Sequence, residues 1–213
     1  MNEALIFDFD GTLADSSEGI FHTALYTVRK LGVDREYSEE ELRRFVGPPL
    51  RQCFVVAFGL DESLLDEAIE IYRKEYDEHG RYMMHLYPGM KETLISLKER
   101  GIKLGVATFK SEALVKICLE YLGIADLFDS IHGSSLSEDM TKGDIIKLAL
   151  ADLKSDKSDT LMIGDTISDQ KGAEEAGIKF VAVTYGFGFK PGSDISCYKT
   201  VSSAFELMEL ATH

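Results

Sequence analysis

The chain has 213 residues, 45% of them hydrophobic and 28% charged, with a formal net charge of −14 from 23 basic and 37 acidic residues. That length fits one large domain, or one core with a smaller insertion, in an ordinary soluble protein. So acidic a surface excludes broad docking on nucleic acid or an anionic membrane, because both need a basic face. No apolar run approaches the ~18 residues of a membrane span, and the N-terminus lacks a basic leader region. Cys53, Cys118 and Cys197 are widely spaced and form no CxxC pair. They read as reduced thiols, so a cytoplasmic protein is expected.

Ala4 to Phe7 is an uncharged apolar run that predicts a buried strand. Asp8 and Asp10 follow with one residue between them. Strand alternation places them on one side, about 7 Å apart, and Gly11 then lets the backbone turn away. Two like charges at that spacing repel unless a cation sits between them or one holds a proton. The pair therefore points to a metal site or an acid–base pair.

From residue 16 to about 87 strand signals give way to helical spacing. Ser16 to Leu31 carries Ile20, Ala24, Thr27 and Val28 on one face and stops at Gly32. Ser38-Glu39-Glu40-Glu41 is a capping box that opens a helix through Val46. Gly47-Pro48-Pro49-Leu50 interrupts it, and Pro49 starts a further helix that ends at Gly59. Asp61 caps a long segment with Leu65, Ala68, Ile69, Tyr72 and Tyr76 on one stripe. Residues 16–87 thus predict a small all-helical unit.

After Tyr87-Pro88-Gly89, helices and strands alternate, which predicts a parallel sheet covered by helices. Strands are expected at 102–107, 128–132, 160–163 and 180–184, and helices at 90–100, 111–122, 143–153 and 169–176. A glycine-rich loop (Gly186, Gly188, Gly192) follows the last strand, and Ser203 to Glu206 caps a final helix through Leu210. The fold class is therefore α/β, a doubly wound parallel sheet with an inserted all-helical unit. Residues 1–15 and 88–213 make the α/β core, and 16–87 make the insertion.

In such a sheet ligands bind beyond the carboxyl ends of the strands. Those ends carry Asp8 and Asp10, then Thr108-Phe109-Lys110, then Gly164-Asp165 with Asp169, while Lys142 precedes a predicted helix. Four carboxylates with a hydroxyl and two ammonium groups suit Mg²⁺, which takes carboxylates, waters and phosphate oxygens. The five histidines show no HxH or HxxxH spacing, so an imidazole metal is not indicated.

The stretch Asp8-Phe9-Asp10-Gly11-Thr12-Leu13-Ala14-Asp15-Ser16 resembles the first motif of the haloacid dehalogenase superfamily of phosphotransferases. Thr108 resembles its second motif, Lys142 its third, and Gly164-Asp165 with Asp169 its fourth, in the right order along nearly the whole chain. Gly47-Pro48-Pro49-Leu50-Arg51 resembles the phosphoglycolate-phosphatase-like branch, and the inserted helices match that family's cap. Two positions depart from the pattern. Gly143 follows Lys142 where the family usually has proline, and Phe109 stands where a small or polar residue is commoner.

The resemblance implies a Rossmann-like core with a helical cap and an Mg²⁺-dependent phosphatase. Asp8 would be the nucleophile that forms an aspartyl-phosphate, and Asp10 the acid and then the base. Mg²⁺ would lie between Asp8, Asp165 and the backbone carbonyl of Asp10, with Asp169 orienting a metal-bound water or Lys142. Thr108, Phe109 and Lys142 would hold the phosphate, and Arg51, Lys110 and His22 are candidates for substrate specificity. The substrate is expected to be a small phosphorylated metabolite, phosphoglycolate-like or a 5′-nucleotide, handled by a monomer or homodimer without nucleic acid or membrane. A β-phosphoglucomutase-like mutase or an inorganic pyrophosphatase is the alternative, and a non-enzymatic binding protein a weaker third. The second aspartate of the first motif favours phosphoryl transfer over dehalogenation.

Overall fold

The computed structural model describes residues 2–46, 49–135 and 140–211. Gly47 and Pro48 of the Gly-Pro-Pro-Leu-Arg segment lie outside the described residues. The chain divides into two compact units, Met1–Asp15 with Leu86–His213, and Ser16–His85.

The first unit is built around β1 (Ala4–Phe7), whose four side chains are all fully buried. Such a strand suits the middle of a parallel sheet covered on both faces. β4 (Lys103–Ser111) and β6 (Thr160–Gly164) pair with it on either side. Outside them lie β5 (Ser130–Ser134), then β7 (Lys179–Val183) and β8 (Lys199–Val201), so the parallel order is β5-β4-β1-β6-β7-β8. The helices are α5 (Met90–Glu99), α6 (Glu112–Tyr121), α7 (Lys142–Leu153) and α8 (Ile167–Ala176). On one face Ile6 and Met162 pack with Ile145, Ile146 and Ala149 of α7 and Ala173 of α8. This is the expected α/β doubly wound sheet.

Several boundaries differ from the sequence reading. β5 begins at Ser130 rather than Phe128, because residues 125–127 form a short 3-10 turn first. β4 runs on to Ser111 with an irregular register against β5 between Ala107 and Ser111. Residues 204–211 form the expected last helix, which takes the 3-10 form. β8 was not anticipated: three residues beginning with two polar ones give no apolar run to read.

The second unit contains α1 (Ser17–Lys30), α2 (Glu39–Arg43), α3 (Leu50–Phe58) and α4 (Leu65–Glu78). The Ser38 capping box forms as read, yet its helix stops at Arg43 rather than Val46. Asp61 caps a 3-10 turn ahead of α4, not α4 itself. An aromatic core joins these helices: Phe45 meets Phe54 edge-on at 4.9 Å, and Tyr72 stacks on Tyr76 at 5.6 Å. A Cβ on Gly19 would collide with the Gly80 carbonyl, so α1 meets the turn after α4 with no room for a side chain. Two-residue strands β2 (Ala14–Asp15) and β3 (His85–Leu86) lie where the chain passes between the units. Among the described residues no helix is long and apolar enough to cross a membrane.

Candidate active site

Three strands of the first unit deliver side chains to one carboxyl edge of the sheet. The Asp8 amide still donates to Ile163 O at 2.9 Å, so the residue just past β1 is held by the neighbouring strand β6. Asp10 is not part of β1. It stands in a tight turn in which Leu13 N and Ala14 N both donate to Phe9 O, at 3.0 and 3.1 Å, and Gly11 N donates to Ala14 O at 2.9 Å. Gly11 has φ +82°, a region other residues enter reluctantly, and a Cβ there would strike the Asp165 carboxylate.

Lys142 is the first residue of α7 rather than a loop residue ahead of it. Thr141 caps this helix in a reciprocal box with Asp144, which fixes Lys142 without the proline that the family resemblance would supply. Its Nζ lies 2.7 Å from Asp8 Oδ1 and 2.7 Å from Asp169 Oδ1. The second contact is an ion pair rather than an aligned hydrogen bond, since Oδ1 of Asp169 accepts none. Asp169 Oδ2 instead accepts from the Thr166 amide and hydroxyl at 3.0 and 2.7 Å, closing the cap of α8. Asp169 is thus divided between its own helix and Lys142.

Asp165 is fully buried beyond β6. Its Oδ2 accepts from Phe187 N at 2.8 Å and Gly188 N at 3.1 Å, and its Oδ1 accepts from Thr12 Oγ1 at 3.3 Å. Cβ atoms on Gly186 or Gly188 would collide with Gly11 O or Asp165 O. The glycine-rich loop was noted in the sequence without a task; here its amides aim a buried carboxylate. Thr12 and Tyr185, whose hydroxyl donates to Thr12 O at 3.1 Å, were also missed. Nothing in local spacing singles them out, because the partners lie over 150 residues apart. Burial pushes the Tyr185 phenol well above its usual range, with Asp165 adding to the effect, so it stays a neutral donor.

Thr108 is buried within β4, just past the regular pairing with β5 that ends at Ala107, and its Oγ1 accepts from Lys110 N at 3.3 Å. Phe109 O accepts from Ser134 Oγ at 2.7 Å, and the Phe109 ring lies 5.4 Å from Lys142 Nζ. Lys110 Nζ is 3.2 Å from Asp10 Oδ2. Arg51 and His22 belong to the helical unit, where Arg51 pairs with Asp66 and His22 Nε2 lies 3.3 Å from Glu75 Oε1.

One oxygen each of Asp8, Asp165 and Asp169 lies within 4.8 Å of the others, all buried. Among the described residues, the ammonium that pairs with this cluster is that of Lys142, on Asp8 and Asp169. The consequence is asymmetric. Burial alone would lower the Lys142 pKa, but Asp169 and Asp8 override it and hold the ammonium charged. Burial pushes Asp8 up to about 6, with Asp169 and Asp10 adding to it, even though Lys142 pulls the other way. Asp165 is pushed up to about 8 by burial and then by Asp169 and Asp8, against the two amides that favour its anion. The cluster therefore has more negative charge than its own residues neutralise. Hard oxygen donors in this number fit a divalent cation such as Mg²⁺ better than any thiolate or imidazole metal.

The profile of the haloacid dehalogenase-like hydrolases matches residues 5–183. A 5′-nucleotidase of Pseudomonas aeruginosa is 36% identical over 185 residues, covering 86% of this chain and 83% of its own. A phosphoglycolate phosphatase of Aquifex aeolicus is 30% identical over 207 residues, covering 97% and 95%. The crystal structure of a predicted phosphatase from Clostridium acetobutylicum superposes with a TM-score of 0.90 at 36% identity, covering 98% of this chain and 97% of that one. Matched along most of its length by that profile and by phosphatase relatives, the chain belongs to the haloacid dehalogenase-like hydrolases and is a phosphatase of that family.

Proposed function

We propose that this phosphatase is Mg²⁺-dependent and hydrolyses a small phosphorylated metabolite through an aspartyl-phosphate on Asp8. The observation that carries the reading is the buried Asp8 carboxylate, 2.7 Å from Lys142 Nζ and clustered with Asp165 and Asp169. Asp8 Oδ attacks phosphorus as the ester oxygen leaves. Asp10 gives that oxygen its proton, and the alcohol departs. Asp10, now a carboxylate, takes a proton from water, whose oxygen attacks the phosphoryl group. The P–O bond to Asp8 breaks and inorganic phosphate is released. Lys142, Thr108 and the amide near Phe109 hold the phosphoryl oxygens where negative charge accumulates.

Mg²⁺ held by Asp8, Asp165 and the Asp10 carbonyl would supply charge neutralisation between the nucleophile and an anionic substrate. Asp169 orients Lys142 rather than serving as a direct ligand, because its two oxygens are already divided between Thr166 and the lysine. Residues 1–15 and 88–213 are the catalytic core on this reading, and 16–87 the helical cap. Names among the relatives make 5′-nucleotides and phosphoglycolate the first substrates to try, in a cytoplasmic setting.

The test is a hydrolysis screen over phosphorylated metabolites with and without Mg²⁺, run beside Asp8→Asn. We expect phosphate release that needs Mg²⁺ and falls at least about 1,000-fold in the variant, as removal of a covalent nucleophile demands. Turnover by Asp8→Asn at the wild-type rate would sink the mechanism. Conversion of glucose 1-phosphate to glucose 6-phosphate without phosphate release would transfer the chemistry to the mutase alternative.

A further inference from the structure

We infer that Lys110 is a positioning residue for Asp10, holding the acid–base carboxylate in place through both halves of the reaction; this rests on the aspartyl-phosphate reading above. Three observations carry it. Lys110 Nζ lies 3.2 Å from Asp10 Oδ2, with only 7% of the lysine side chain and 17% of the aspartate exposed. A pair so sheltered is screened far less than a surface ion pair. Its Nζ also lies 5.5 Å from the centre of the Phe9 ring, so the ammonium has a second restraint besides Asp10.

The backbone beneath it is fixed as well. Between Ala107 and Ser111 the register of β4 against β5 is irregular, a feature that re-aims a side chain at a sheet edge. A Cβ on Gly133 would collide with Lys110 O, and Ser134 Oγ donates to Phe109 O at 2.7 Å, so β5 grips this segment closely. Lys110 N donates to Thr108 Oγ1 at 3.3 Å. One short segment thus carries the phosphate-facing Thr108 and the ammonium that faces Asp10.

The chemistry gives that ammonium a task distinct from binding substrate. Asp10 stands in a turn rather than in the sheet, and it becomes a carboxylate when it gives its proton to the leaving oxygen. It must then stay within reach of the water that attacks the phosphoryl group. Lys110 faces the charge so formed and restrains the carboxylate while the alcohol leaves and water enters. Misplacing a reacting group by about 1 Å costs on the order of 100-fold. Loss of Lys110 should therefore slow turnover, and the hydrolytic half most.

The experiment compares wild type, Lys110→Met, Lys110→Arg and Asp8→Asn with Mg²⁺ and p-nitrophenyl phosphate. Steady-state constants and melting temperatures are measured, and rapid acid quench with intact mass gives the fraction carrying one phosphoryl group. Lys110→Met should lower kcat on the order of 10- to 100-fold with KM changed less than about 3-fold. Its phosphorylated fraction in turnover should exceed that of wild type, and Lys110→Arg should recover most of the rate. A rise in KM at unchanged kcat would overturn the inference and make Lys110 a substrate-binding residue. So would unchanged kinetics, or a rate loss no greater than the loss of folded protein. If wild type never carries the phosphoryl group and Asp8→Asn stays active, the aspartyl-phosphate reading fails first and takes this inference with it.

Discussion

Asp8 and Asp165 set the pH behaviour of the protein, and the sign follows from their burial. Both are ordinary carboxylates near 3.8 in the unfolded chain, raised to about 6 and about 8 in the fold. Between those limits the native state keeps protons that the unfolded state has lost, so stability falls as pH rises. Asp129 and Glu112 act oppositely. Their net pKa shifts are downward, Asp129 because Lys98 and the Leu104 amide outweigh its burial, and Glu112 because of Lys116. Their stabilising effect is complete by about pH 5 and is lost only below it. Metal-free protein in EDTA should therefore melt at progressively lower temperature from about pH 5.5 to pH 8. Mg²⁺ bound as proposed would supply the charge that the protons had supplied, so its upward shift of Tm should be larger at pH 8 than at pH 5.5. Scanning calorimetry across that range decides it; a metal-free Tm that climbs with pH would show the cluster is not short of positive charge.

Among the elements, one capping pattern recurs with different consequences. Ser38 with Glu41 starts a five-residue helix on an exposed face, whereas Thr166 with Asp169 starts α8 beside Lys142. The Ser38 box is read from the sequence and the Thr166 box is not, although its spacing also needs nothing beyond local chain geometry. The second use of Asp169 is not local. Asp169 reaches Lys142 because of a residue distant in the chain, and the loop that orients Asp165 is invisible for the same reason. Substitution makes the contrast measurable. Ser38→Ala and Thr166→Ala should each cost about 1 kcal/mol in urea unfolding. Only Thr166→Ala should also reduce kcat, on the order of 10-fold, by loosening Asp169 and through it Lys142. Equal activity in the two variants would mean that Asp169 does not need its cap to hold the lysine.

At the scale of the molecule, the order of elements along the chain determines how site and stability are joined. β1 comes first in sequence yet lies in the middle of the sheet, between β4 and β6, which follow about 100 and 150 residues later. Its apolar run and the Asp-x-Asp after it are adjacent letters, which is why the proposed nucleophile and the central strand are legible together. The pairing partners are not, because any of several apolar runs could have flanked β1. Ile6 shows how tightly the choice is fixed: it sits opposite Gly105 on one side and Met162 on the other, fully buried with Ile145 and Ile146. Truncating it removes contacts with both halves of the sheet and leaves a cavity that close packing cannot collapse. Ile6→Ala should therefore cost about 2–5 kcal/mol in urea unfolding, while Ile95→Ala, on the exposed side of α5 at 39% exposure, should stay within about 0.5 kcal/mol. Since the Asp8 amide is separately held by Ile163 O, the surviving folded Ile6→Ala protein should keep near-wild-type kcat at low temperature and lose activity only as it unfolds. A loss of kcat in fully folded Ile6→Ala would show instead that the position of Asp8 depends on packing beneath β1 and not on its bond to β6.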